Sequence, residues 1–325
     1  MTAGISLGVY LTGFFVLFTP LPIIFVYLKR GPAVAWVTLL TALAVLSALY
    51  RYPGELVSYL PYGFLETPLG REAVIGFGVF NFLFYGWMGW VLAHEARGKR
   101  PFIKSFVLML TVVSLLPVVA LISYFKVVGL SPVETIRTGL EFVVKQVTEM
   151  QSGSPKMAEE MIFLKEQGPR IVSGVLAILP ATWLGAALVT LSLNVLFVRR
   201  WFARQKPFPA WGDFALWTIP ENLIWVPIAV GSLYFFNLSL GHSAVFGWGL
   251  INVLILFLLI YFYQGLSITI FFFKRKLSPW ARLMAYLVVL LLLQVIVVAI
   301  VAVGLFDFWF DFRKLKRIAS KPSSK

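Results

Sequence analysis

Between Arg282 and Asp307 the chain carries twenty-four consecutive residues without a charged side chain, LMAYLVVLLLLQVIVVAIVAVGLF. About 20 apolar residues in a helix are enough to cross the ~30 Å hydrocarbon core of a bilayer, so a run of this length constrains the fold more than any other feature. It does not stand alone. Cut at charges and turn residues, the 325-residue sequence gives eight such segments: Ile5 to Leu28, Ala33 to Tyr50, Ala73 to Ala93, Phe106 to Phe125, Ile171 to Val198, Phe214 to Phe236, Ala244 to Phe273 and Ala281 to Phe306. Hydrophobic residues make up 60% of the chain and charged ones 13%, with a mean hydropathy of +0.88. A soluble domain carries about 25% charged residues. One water-soluble core cannot hide this much apolar surface. The expected fold is all-α: a polytopic transmembrane bundle of about eight spanning helices, one transmembrane domain over residues 1–325.

Interruptions within the runs carry further information. Pro20 and Pro22 predict a kink or a break in the first segment, because a proline removes a backbone donor and membrane neighbours must satisfy the freed carbonyls. The seventh segment is long enough to tilt strongly or to break near Gln264-Gly265. Residues 131–168 depart from the pattern. Ser131-Pro132-Val133-Glu134 has the form of an N-cap, a first-turn proline and a capping-box acid. Val133, Ile136, Leu140, Val143 and Val147 then share one helical face. Ser154-Pro155 begins a second short helix, expected to end near Gly168-Pro169. The expectation is an amphipathic helical hairpin outside the membrane, packed on the surface. No basic n-region precedes the first run, so the first helix is expected to be retained rather than cleaved.

The formal net charge of +14 is concentrated in short loops at 29–32, 94–104, 199–209 and 274–282. Eight crossings place all four loops on one side, which the positive-inside rule makes cytoplasmic. That topology accounts for the charge without nucleic acid as a partner. One feature conflicts with it: the basic tail at 312–325, with Arg313, Lys314, Lys316, Arg317, Lys321 and Lys325, would then end outside. Either the rule yields to the four loops, or the first or seventh segment is re-entrant.

Ionisable and amide side chains inside spans are costly in lipid and are functional hypotheses by default. Glu221, beside Asn222 and after Pro220, is expected near the middle of the sixth span, where it suits a cation, a proton or a basic ligand group. Asn81, Asn252 and Gln264 complete the ligand- or ion-binding candidates, with interhelical hydrogen bonding as their alternative role. Asn194 and Gln294 are read as interhelical bonds. Asp307 and Asp311 share a helical face, with Arg313 close behind. They suit Mg²⁺ with a phosphate ligand, or an interfacial anchor among Phe306, Trp309 and Phe310. There is no catalytic motif: His94-Glu95 lacks a second histidine four residues on, His242 has no nucleophile motif, and there is no P-loop. With no cysteine in the chain, thiolate metal sites and disulfides are excluded and no cofactor is expected. The glycines of GFGVFNFLFYGWMGW (76–90) suit close helix packing.

Five stretches together resemble one family. They are PLPIIFVYLKRG (20–31), LPATWLGAALVTLSLNVLFVRR (179–200), FPAWGDFALWTIPENLIW (208–225), FYQGLSITIFFFKRKL (262–277) and GLFDFWFDFRKL (304–315), and they resemble the YybS-like family of bacterial multi-pass membrane proteins. That family is itself distantly similar to the substrate-binding membrane components of energy-coupling vitamin transporters. The resemblance implies a bacterial plasma-membrane protein and brings no substrate or catalytic residue. Besides membrane lipids, the expected partner is a small-molecule or ion ligand held in the bundle. The alternative is a scaffold or assembly factor that meets a membrane-protein partner through 131–168.

Overall fold

The structure is a computed structural model. It describes residues 2–13, 15–51, 71–98, 100, 102–129, 131–149, 155–202, 213–240 and 243–314. Among these residues there are helices and no strands. Six helices are long and apolar enough to cross a membrane, and a bent pair near the carboxy terminus makes seven if counted as one span. The chain packs as two compact units, Met1–Ala210 and Trp211–Lys325.

In the first unit, the expected break in the leading segment is present. Helix α1 (Thr2–Leu11) ends at Gly13, whose φ of 66° suits only a residue without Cβ. A single 3₁₀ turn, Val16–Phe18, follows, and α2 (Pro20–Arg30) starts with Pro20 and Pro22 in its first turn, where a missing N–H is not missed. Neighbours satisfy the carbonyls of the break. Ser6 Oγ donates to Thr19 O at 3.2 Å, and Asn194 Nδ2 donates to Leu17 O at 2.8 Å. Among the described residues the first of the eight sequence segments is thus two short helices rather than one continuous helix.

Helices α3 (Pro32–Arg51) and α4 (Arg71–Arg97) pack on α2. The glycines of α4 allow this: Gly78 lies under the Tyr50 ring, Gly86 against Leu39, and Gly89 within 2.8 Å, at its missing Cβ, of Pro20 O. At the end of α4, Arg97 donates to Tyr27 O (2.8 Å) and Leu28 O (2.9 Å), closing the last turn of α2.

After α5 (Phe102–Val128), helix α6 (Pro132–Glu149) begins as its sequence predicts, with Ser131 Oγ accepting from Glu134 N. It packs on α7 (Pro155–Phe202). Here the structure corrects the hairpin. Its second limb does not stop at Gly168-Pro169 but continues as one 48-residue helix through the fifth span. Pro169 removes one helical hydrogen bond without forbidding the helix. The packing of α6, with Val144 Cγ1 3.1 Å from where a Gly168 Cβ would lie, offsets that loss.

In the second unit, the sixth segment does not start as a helix. Asp213 caps a 3₁₀ turn, Phe214–Leu216, by accepting from Ala215 N at 3.1 Å. Residues 217–220 are then non-helical, because a residue before proline is pushed out of the α region. A second 3₁₀ turn, Glu221–Ile224, leads into α8 (Trp225–Ser239). Glu221 therefore stands at the entrance to the span rather than near its middle. Helix α9 (Ala244–Lys276) runs unbroken through Gln264-Gly265. That glycine pair-site serves packing instead, since α11 (Leu293–Phe310) crosses there. A Cβ on Gly265 would meet Ile300 O, and one on Gly304 would meet Tyr261 O.

The eighth segment is where the chain bends. Helix α10 (Pro279–Leu291), capped by Ser278, and α11 meet at 107°. Leu292 holds the bend at φ −93° and ψ 8°, in the sparsely allowed bridge region, within a run of leucines that contains neither proline nor glycine.

Candidate functional site

The polar residues of the second unit converge where α11 crosses α9. Asp307 is the centre. Its Oδ2 accepts from Gln264 Nε2 at 2.7 Å and from Arg313 Nη2 at 3.1 Å, and its Oδ1 accepts from the Phe312 N–H at 3.0 Å. The Arg313 side chain is fully buried and that of Asp307 is 8% exposed. Arg313 Nη1 also donates to Ala215 O (2.9 Å), Trp217 O (3.0 Å) and Ser267 Oγ (2.8 Å). Ser267 Oγ donates in turn to Phe214 O at 2.7 Å or Trp217 O at 3.1 Å. A guanidinium after the last helix thus holds the carbonyls of the irregular 214–217 segment, whose groups have no helical partners of their own.

Two polar atoms of this network stay unsatisfied: Gln264 Oε1 and Arg313 Nε are buried with no hydrogen-bond partner. The glutamine orientation is fixed by chemistry. Exchanging its amide atoms would set two acceptors against each other at the 2.7 Å contact with Asp307, so the spare atom of Gln264 is an acceptor.

Beside the network lies a cavity of about 530 Å³, within the ~300–1,000 Å³ range of small-molecule sites. Leu216, Thr218, Ile219, Pro220 and Glu221 form the wall contributed by the irregular segment. Tyr261 and Gln264 come from α9, and Gly304, Asp307, Phe308 and Asp311 from the end of α11. Asp311 closes α11 in the left-handed region, at φ 41°, with its N–H on Asp307 O. Gln264 is ten residues before Lys274, about 15 Å along the helix axis.

Where the two helices cross, Gly265 faces Ile300, Gly304 faces Tyr261 and Gln264 bonds Asp307, and beyond the end of α11 Arg313 reaches Ser267. Helix α10 departs from the carboxy-terminal end of α9. Asp213 and Lys274, paired at 2.7 Å, mark that end. The α10–α11 pair is thus a broken span or a re-entrant loop, whereas sequence reading assigned a re-entrant segment to the first or seventh.

Of the residues singled out in the sequence, Glu221, Gln264, Asp307 and Asp311 share the cavity wall, and Arg313 anchors it from behind. Asn222 is exposed next to Glu221 and does not line it. Asn252 is half-buried in α9 and donates to Trp248 O, one turn back in its own helix. Asn81 is half-buried in α4 of the first unit. Asn194 is a buried interhelical donor as expected, and Gln294 is exposed beside the bend. His94 accepts or donates through Nδ1 with the Tyr27 hydroxyl at 3.1 Å, and Glu95 pairs with Arg100 at 2.8 Å. His242 lies outside the described residues. Sequence reasoning missed Ser267, which shares a helical face with Gln264 three residues before it, and the backbone carbonyls of 214–217. Among the described residues no group of three His, Cys, Asp or Glu gathers closely enough to hold a metal ion. The Mg²⁺ reading of Asp307 and Asp311 thus gains nothing from the geometry.

Neither a curated protein nor a solved structure matches the chain. A family model described as "Predicted membrane protein (DUF2232)" matches residues 73–308. That interval takes in the α9 half of the cavity and Asp307, and it agrees with the resemblance carried by the carboxy-terminal motifs. The chain belongs to this family of multi-pass membrane proteins.

Proposed function

We propose that this membrane protein binds a small molecule in the cavity of its carboxy-terminal unit, the binding step of a transport or sensing role in a bacterial plasma membrane whose basic loops face the cytoplasm. The observation that carries the reading is Gln264 Oε1, an acceptor buried without a partner on a residue that lines a cavity of about 530 Å³. An unpaired buried acceptor costs about 1–3 kcal/mol, which a ligand N–H or O–H recovers. The scaffold alternative draws less support, because α6 packs on α7 and Ile136 and Leu140 are partly covered, although Val133 and Val147 on the same face are exposed.

The test uses the full-length chain in lipid nanodiscs, screened by thermal shift against water-soluble metabolites, vitamins and lipid precursors. A binder should raise the melting temperature in proportion to the logarithm of its concentration once saturating. The same compound should lose its effect on Thr218→Trp, which fills the cavity from the irregular wall. If no compound stabilises the wild type, or every stabilisation survives in Thr218→Trp, the cavity is not a binding site.

A further inference from the structure

The first unit carries a charged surface that shares no residue with the cavity. Stretches 29–32 and 94–104 hold six Lys and Arg against one acid, Glu95, whose side chain is buried and paired with Arg100 at 2.8 Å. The fold brings the two stretches together. Arg97 Nη2 donates to Tyr27 O and Leu28 O, and His94 Nδ1 meets the Tyr27 hydroxyl, so the end of α4 lies against the turn of α2 that leads into Lys29 and Arg30. Lys29, Arg30, Arg97, Arg100 and Lys104 are all exposed. Among the described residues, Arg30 and Lys104 take part in no hydrogen bond or ion pair. Helices α3 and α5 begin here, at Pro32 and Phe102, and add the positive ends of their dipoles. Cations gathered in this way repel one another, and an anion from outside the chain relieves the repulsion.

Depth decides which anion. Three candidate spans, Pro32–Arg51, Ile75–Arg97 and Lys104–Val127, start or stop within these two stretches. The cations therefore stand at the height of the lipid headgroups. Further in along α3 and α5 the exposed side chains are apolar: Val34, Val37 and Leu40 on one helix, Val107 and Leu108 on the other. A free phosphate makes no use of that surface, whereas a phospholipid covers it with acyl chains while its phosphate sits among the cations. We infer that this end of the first unit is a docking site for an anionic phospholipid, whose negative headgroup is held by Arg30, Arg97, Arg100 and Lys104. Basic groups at headgroup height attract such lipids, and the Arg97 guanidinium keeps donors beyond the one spent on α2.

The experiment is native mass spectrometry of the full-length protein, released from detergent micelles after titration with phosphatidylglycerol. Phosphatidylcholine is the zwitterionic control and glycerol 3-phosphate the soluble anion. Phosphatidylglycerol should be retained in a saturable manner, and neither control should be. Arg30→Gln/Lys104→Gln should weaken the tightest phosphatidylglycerol site by about tenfold or more, while Arg275→Gln/Lys276→Gln, an equal loss of charge in the second unit, should leave it within about twofold. All four side chains are exposed, so both variants should melt at the wild-type temperature before lipid is added. Equal retention of phosphatidylcholine, equal weakening in the two variants, or no weakening in either overturns the inference. Displacement of the lipid by glycerol 3-phosphate overturns it too, because the site then reads a free phosphate ester.

Discussion

Arg313→Met is the substitution whose cost the structure defines best. Methionine keeps much of the side-chain length and removes the charge and every donor. Asp307 would retain Gln264 and the Phe312 N–H but lose its countercharge in a site where its side chain is 8% exposed. Removing one member of a buried ion pair costs about 3–5 kcal/mol, because the remaining charge is left uncompensated. The carbonyls of Ala215 and Trp217 lose a donor in the same stroke, so the upper part of that range is expected. Asp307→Asn alone should cost less, about 1–3 kcal/mol, since the guanidinium keeps Ser267 and two carbonyls. The double variant separates pairing from packing. With the charge on Asp307 gone, Arg313→Met should be milder, giving a coupling energy of about 1–3 kcal/mol. Reversible unfolding in mixed micelles, titrated with SDS, supplies all three values. A single Arg313→Met costing under about 1 kcal/mol, or a double variant as unstable as the sum of the singles, would refute the reasoning that this pair holds the carboxy-terminal unit together.

The helix crossing should respond in the opposite way to a usually favourable change. Gly→Ala in a helix gains up to about 1 kcal/mol, but Gly265→Ala and Gly304→Ala should each cost about 1–3 kcal/mol, because the new methyl meets backbone of the facing helix; Gly249→Ala, with open space around it, should be neutral or stabilising in the same assay. Lys274→Gln should change stability by less than about 1 kcal/mol despite its 2.7 Å contact with Asp213, since both side chains are more than 40% exposed; a larger loss would mean the pair is sheltered in the membrane-bound state. Asn194→Leu should cost about 1–3 kcal/mol in the amino-terminal unit by orphaning Leu17 O at the α1–α2 break, and Asn194→Gln should not restore it fully if the 2.8 Å geometry matters. Single cysteines at Arg275 and Lys314, both exposed, separate the two forms of the α10–α11 pair: labelling by an impermeant thiol reagent from the same side of the membrane marks a re-entrant loop, and labelling from opposite sides a broken span.

The apolar spans were legible because length and the absence of charge decide them before any tertiary contact exists. Breaks were legible only where a local cause was strong. Pro20, Pro22 and Gly13 act within a few residues, and the α1–α2 break lies among them. Pro169 carries a similar local signal, yet packing of α6 against α7 overrides it. At Leu292 the situation reverses: a leucine run gives no local sign of the bend. The candidate site shows the same division. Glu221, Gln264, Asp307 and Asp311 stood out because polar groups in apolar runs are anomalous, and they do share one wall. Asn252 carried an equal signal, donates to Trp248 O in its own helix and is not part of that wall, so the anomaly marks candidates without grouping them. The Gln264–Asp307 bond spans 43 positions, and the role of Arg313 depends on backbone carbonyls, which no residue letter encodes.

The bend at Leu292 has a consequence for membrane insertion. Beyond α11 the chain carries Arg313, Lys314, Lys316, Arg317, Lys321 and Lys325. Had α10 and α11 formed a straight crossing, these six cations would have been delivered to the face opposite Lys274, Arg275 and Lys276. Against a membrane potential of 100 mV, electrical work of about 2.3 kcal/mol per charge makes that roughly 14 kcal/mol for the six. A re-entrant form of the α10–α11 pair would spare insertion that work, since the cations after α11 would not have to be exported.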